Sequence, residues 1–315
     1  MSARWERRRI LVWGKTRPEV SKNYRETVCT GGIFGDTGGL VRLYPVPLRY
    51  LDDERLFKKY QWITADVRRA DDHDNRPESY RIRADGIEVG ETIGTGTHGD
   101  WRERAGWVLR PANMVRSVEA LQAQQAIDHT SLAVLKPKRI VQITAEILSP
   151  KERQEMWTRY KSITAQLSLP VDDDVRTPKP LTPPDYRFRV RFTCDDPDCR
   201  LVHKFGILDW EVDALYFSLK RRHKELAARE KVVDHLKKHL LADDREPRFF
   251  LGNISTHPRE FTIVGLWYPK KPAPGLFDES GPPILGSNES RGLCAERTLS
   301  DASSDDGRCR CGVSN

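Results

Sequence analysis

Two cysteines and a histidine at close spacing, Cys194-x4-Cys199-x3-His203, carry the strongest chemical signal in the sequence. Thiolate and imidazole donors from one short loop are common protein ligands of zinc. Asp195, Asp196 and Asp198 lie inside the same loop and add negative potential around a cation. A structural zinc takes four ligands, so one is missing from the local set. A strand running from His203 to Trp210 covers about 23 Å at ~3.3 Å per residue. A helix folding back from Glu211 returns about 18 Å by His223, at 1.5 Å per residue. His223 thereby arrives near the cysteine pair, and it interrupts an apolar stripe between Leu219 and Leu226. The expected Zn2+ ligands are therefore Cys194, Cys199, His203 and His223. The competing reading makes His223 a solvated member of the cluster Lys220-Arg221-Arg222-His223-Lys224.

Asp209 and Glu211 flank Trp210 at the expected strand-to-helix junction. Paired acids in such a place hold Mg2+ or act as general base and acid, which makes these two the candidate catalytic residues. The spacing favours a local role, with Asp209 as N-cap and Glu211 in the first turn, where the helix dipole favours an anion. Gly94-x-Gly96-x-x-Gly99 matches the dinucleotide-binding string, but no apolar strand precedes it and Pro111 limits any following helix, so it reads as a loop. Cys29 would need a neighbouring His and a cause for a lowered pKa to act as a nucleophile. In its apolar strand it reads as a buried thiol. Asp71-Asp72-His73-Asp74 reads as a solvated turn, and Cys309 and Cys311 fall in a stretch without apolar period.

Basic residues form a broader pattern. Arg187, Arg189 and Arg191 share one face of a strand because side chains alternate. Lys220, Arg221 and Lys224 follow on the expected helix, and Arg7 to Arg9 lie between Trp5 and Trp13. Lys and Arg with nearby aromatics suit phosphate contact and base stacking. Arg187, Arg189, Arg191, Lys220, Arg221 and Lys224 are accordingly the expected nucleic-acid contacts, against the alternative of a solvated basic face.

The elements that must position these groups divide the chain into four stretches. Residues 1–148 carry many short apolar runs, among them a hairpin around Gly35–Gly39, and one clear helix capped by Ser117. They read as a β-rich, barrel-like unit. Residues 149–184 open with Ser149-Pro150-Lys151-Glu152, a capping box with Pro at the first helical position. They end in a linker with five prolines from 170 to 184. Residues 185–271 read as a β-β-α-β-β unit. Strict alternation marks Tyr186 to Phe192, a second strand covers 204–210, and one long helix covers 211–241. Two more strands cover 249–254 and 261–268. Residues 272–315 lack any apolar period and read as a disordered tail. The fold class is α+β.

The chain has 315 residues, with 53 Lys+Arg against 46 Asp+Glu and a formal charge of +7. Its 38% apolar and 31% charged residues exclude a collagen-like, coiled-coil or wholly disordered chain. No apolar run reaches the ~18 residues of a membrane span. The run Ile10 to Trp13 behind Arg7–Arg9 is shorter than the roughly 7–15 residues of a secretory core. The cytoplasm is the expected compartment, with no membrane association, and the six Cys are expected as thiols or metal ligands. The β-rich first unit, with its basic and aromatic residues, resembles the small PUA- and ASCH-like barrels at the level of fold alone. That resemblance implies binding of modified or structured nucleic acid. The expected function is nucleic-acid binding by a protein with a structural zinc. The alternatives are a metal-dependent nuclease or other hydrolase, with Cys194, Cys199 and His203 leaving one metal position to water, and a scaffold that recruits a protein partner.

Overall fold

The computed structural model describes residues 4–21, 25–70, 74–167 and 185–271. Its first seven strands are β1 (Glu6–Lys15), β2 (Glu19–Ser21), β3 (Arg25–Phe34), β4 (Leu40–Val46), β5 (Gln61–Arg69), β6 (Ser79–Ile82) and β7 (Glu88–Thr92). They form one sheet, in which the order β1-β3-β4-β6-β5 returns to β1 through the pairing of Glu6–Val12 with Val67–Gln61. Five strands thus close a barrel, which removes their free edges. The expected hairpin is β3–β4, with Ile33 opposite Leu40. Alternation divides β1 between two cores. Ile10 and Val12 fill the barrel, while Leu11 and Trp13 belong to a cluster on its outside.

A short helix, α1 (Arg102–Val108), follows the Gly94–Gly99 loop and ends before Pro111, where no helix was expected. The remaining elements are β8 (Met114–Val115), α2 (Val118–Asp128), β9 (Leu132–Leu135), β10 (Pro137–Ile147) and α3 (Pro150–Leu167). After them come β11 (Tyr186–Cys194), β12 (His203–Gly206), α4 (Trp210–Lys220), α5 (Glu225–Leu240), β13 (Arg248–Ile254) and β14 (His257–Trp267). They build two sheets, ordered β10-β11-β12 and β14-β13-β9-β8. Strands from both sides of residue 148 share each sheet, with Ile143 opposite Val190 and Val134 opposite Phe250.

The four-stranded sheet is buried on both faces. Leu132, Val134, Phe250, Val264 and Trp267 meet Leu11 and Trp13 of the barrel. Ala133, Leu135, Phe249, Leu251 and Ile263 meet β11 and the helices instead. A side-chain period of two sends neighbouring residues to opposite layers, so the strand sequences are apolar throughout. Trp13 stacks on Phe250 with ring centroids 4.0 Å apart. Gly31 makes room for that indole, since a Cβ there would lie 2.1 Å from it.

The single long helix expected over 211–241 is two helices. Arg221, Arg222, His223 and Lys224 are exposed and have no apolar surface to bury, so the chain turns there. Beyond the turn, α5 faces the core with Ala228, Val232, Leu236 and Leu240, at i, i+4 spacing, and leaves Leu226 exposed. The strand expected to reach Trp210 ends at Gly206, after which Ile207 makes only an isolated bridge to Ile263. The capping box of α3 forms as expected. Ser149 donates from its N–H and its hydroxyl to the Glu152 carboxylate, and Glu152 N–H donates to Ser149 Oγ. The expected linker over 170–184, the tail over 272–315 with Cys309 and Cys311, and Asp71 to His73 lie outside the described residues. Among the described residues, no helix is long and apolar enough to cross a membrane.

Candidate metal centre

Cys194 ends the inward-facing series of β11. Tyr186, Phe188, Val190, Phe192 and Cys194 alternate with outward residues, and all five are buried. The chain then makes a tight turn, in which Cys199 N–H donates to the Asp196 carbonyl at 3.1 Å. It re-enters the sheet at His203, paired with Phe192. The turn and the hairpin pairing bring Cys199 Sγ within 3.2 Å of His203 Nε2.

The fourth member comes from a distant element. Ser117 caps α2 by accepting from Ala120 N–H at 3.2 Å, which directs the first turn of that helix at the Cys194 loop. Glu119, in that turn, places Oε1 3.4 Å from His203 Nε2. One ligand atom each from Glu119, Cys194, Cys199 and His203 lies within 4.8 Å of all the others, so this group can hold a metal ion. Glu119 Oε2 is buried and has no hydrogen-bond partner within the protein. A buried carboxylate oxygen left unpaired is costly, and a cation is the partner that this surrounding set of donors would share.

The first turn of α2 also supports the sulfur. Val118 N–H donates to the Cys194 thiol, opposing the effect of burial. Burial, with Cys199 and Glu119 nearby, pushes the Cys194 thiol up to about 12. Burial lowers the pKa of His203 although Glu119 acts to raise it, which leaves a neutral imidazole fit to ligate. Asp196 lies beside the cluster rather than in it. Hydrogen bonds from Asp198 N–H and the Ser117 hydroxyl hold its carboxyl below the usual range and fasten the loop to α2.

The expected fourth ligand, His223, lies in the exposed turn between α4 and α5, outside the cluster. The reason is geometric, because the strand and the helix that were to carry it back both stop short. Glu119 has no spacing relation to the Cys-x4-Cys-x3-His string. Its one sequence signal is a carboxylate two residues after the N-cap Ser117, a position that ordinarily serves the helix dipole.

Asp209 and Glu211 are not part of this centre. Asp209 is buried and caps α4, accepting from Glu211 N–H at 3.0 Å, from Leu266 N–H at 3.1 Å and from Lys59 Nζ at 3.2 Å. Glu211 pairs with the same lysine at 3.1 Å. Their role is to dock the start of α4 on the barrel, where Arg17 also holds Asp213 through two hydrogen bonds of 2.7 Å.

The expected nucleic-acid residues divide into two groups. Arg187 pairs with Glu152, Arg189 with Glu146, and Lys220 with Asp185 and Glu225. Arg191, Arg221 and Lys224 are exposed and pair with no acid among the described residues. Arg7, Arg8 and Arg9 of the barrel pair with Glu88, Asp36 and Glu91, and Arg9 also lies over the Trp62 ring.

Residues 6–110 match a family model described as Domain of unknown function (DUF8758). No curated protein matches the chain. Residues 114–281, which include all four members of the metal cluster, match a second model that spans more than half of the sequence. By that match the chain belongs to the family described as Domain of unknown function (DUF8757).

Proposed function

We propose that the protein is a cytoplasmic nucleic-acid-binding protein whose C-terminal half is held together by a structural Zn2+. The observation that carries the proposal is the convergence of Glu119, Cys194, Cys199 and His203, with Glu119 Oε2 buried and unpaired. Two thiolates, an imidazole and a carboxylate form a donor set that suits zinc better than the all-oxygen cations. Four protein donors fill a tetrahedral site and leave no position for an attacking water, which favours a structural role over hydrolysis. Such a metal links α2 to the β11–β12 loop, and its binding free energy becomes folding free energy. The thiols Cys194 and Cys199 are unbridged, which suits a reducing compartment.

Support for the nucleic-acid partner is electrostatic. With Arg187, Arg189 and Lys220 engaged in ion pairs, phosphate binding falls to the turn Arg221–Lys224 and to Lys231, Lys237 and Lys238, exposed on α5. Protein purified without chelator should carry about one zinc per chain by elemental analysis, and absence of bound metal overturns the centre. Fluorescence anisotropy with single- and double-stranded DNA and RNA across a salt series tests the partner. Replacing Arg221, Arg222 and Lys224 together by Gln should reduce the salt slope by roughly two to three, at about 0.7–0.9 for each phosphate no longer neutralised. No binding to any of the four nucleic acids at low salt refutes the assignment.

A further inference from the structure

His235 and His239 lie one turn apart on α5, with ring centroids 4.4 Å apart. His239 stacks on Tyr268 at 5.0 Å with an interplanar angle of 27°. Tyr268 in turn meets Trp101 at 5.4 Å. Backbone links hold the three elements together. Lys270 N–H donates to the Gly99 carbonyl at 2.9 Å, which ties the end of β14 to the loop before Trp101. Glu246 N–H donates to the Pro269 carbonyl at 3.1 Å, which ties the exit of α5 to the same segment.

The ring series runs from the core out to solvent. Trp101 meets the buried Trp267 edge-on at 5.0 Å. Trp101, Tyr268 and His239 are partly buried, and His235 is exposed. Packing accounts for the inner rings. It does not account for two imidazoles set in sequence beyond them, since α5 faces the core with Ala228, Val232, Leu236 and Leu240. Partial burial, with Lys238 nearby, lowers the pKa of both histidines, so at neutral pH they are uncharged rings.

Cations flank the rings. Lys231, His235, Lys238 and His239 share one face of α5 at i, i+4, i+7 and i+8 spacing. The Lys270 side chain lies over Gly99, two residues before Trp101. These three lysines are exposed and pair with no acid among the described residues. Asp244, the acid that acts on His239, is engaged by Arg245 at 3.7 Å.

We propose that this ring series is a stacking platform for single-stranded nucleic acid, which deepens the nucleic-acid reading above and rests on it. Uncharged rings offer faces on which any base stacks, and the lysines beside them meet the phosphates. In a duplex each base face is already covered by its neighbours, so a ring platform favours a single strand.

Fluorescence anisotropy of the full chain with a single strand, its duplex and the same strand carrying abasic sites, each as DNA and as RNA, tests the platform. The single strand should bind more tightly than the duplex or the abasic strand at equal salt. His235→Ala, at an exposed position, should leave the thermal melt unchanged and weaken single-strand binding about fivefold or more. The salt slope should stay the same, because no phosphate contact is removed. His235→Tyr should keep the affinity, a rescue that only a stacking role explains. Adding His239→Ala to His235→Ala should weaken single-strand binding further. A single strand bound no more tightly than its duplex and abasic forms, or unchanged in both Ala variants, overturns the platform and leaves the reading of the basic turn intact. No binding to any of these nucleic acids refutes the nucleic-acid reading and the platform with it.

Discussion

Replacing Arg17 by Met should be among the most damaging single changes outside the hydrophobic core. Asp213 sits on α4 with 2% of its side chain exposed, and the Arg17 guanidinium meets both of its oxygens at 2.7 Å. Removing one partner leaves a buried carboxylate uncompensated, at a cost of about 3–5 kcal/mol. At roughly 2–4 °C per kcal/mol for a domain of this size, the melting temperature falls by about 6–20 °C. Burial already raises the Asp213 pKa, and Arg17 is the group that pulls it back. Without Arg17 the folded-state pKa rises further above its unfolded value. Stability is then retained at low pH and lost as pH rises through the folded pKa, so the deficit should be smaller at pH 5 than at pH 8. Urea unfolding at the two pH values measures it. Arg17→Met/Asp213→Leu should recover at least half of the loss, because an apolar pair substitutes well for a buried ion pair. A deficit below about 1 kcal/mol at pH 8, or a double variant no better than the single one, would refute the reasoning.

Glu119→Ala should lower zinc affinity by about 100-fold or more, read by competition with a chromogenic chelator, whereas an unchanged affinity would remove Glu119 from the ligand set. His223→Ala should leave the metal content at its original value in the same assay, since His223 is exposed in the α4–α5 turn. Asp209→Ala strips the cap of α4 and leaves Lys59 facing Glu211 alone, and should cost about 3–5 kcal/mol in urea unfolding. A loss near the ~1 kcal/mol of an ordinary cap would mean that the lysine is solvated rather than buried.

Local rules carried the reading of the sequence as far as they reach. Alternation from Tyr186 to Phe192 places Cys194 on the buried face, and the capping signals at Ser117 and Ser149 locate two helices. The loop from Cys194 to His203 is legible for the same reason, because its ligands are joined by one turn. Glu119 is not, since β8 and β9 bring α2 to that loop through pairings no spacing encodes. The broken helix misleads in a different way. Leu219 and Leu226 are seven residues apart, which preserves the helical phase across a turn and makes two stripes look like one. The ion pairs of Arg187 and Arg189 were equally out of sight, because Glu152 and Glu146 lie on the neighbouring α3 and β10.

The sheet between the barrel and the helices also determines when the protein becomes safe from aggregation during synthesis. Leu132 to Leu135 pair with Gly252 to Phe249, strands that leave the ribosome far apart in time. At about 5–20 residues per second the wait is on the order of ten seconds. The barrel can close early from its own strands, but its outer Leu11 and Trp13 stay wet until Phe250, Val264 and Trp267 arrive. Pairings of such long sequence separation form slowly. The most aggregation-prone species is therefore a nascent chain with a finished barrel and a naked β9, and a chaperone would act on that intermediate rather than on the completed fold.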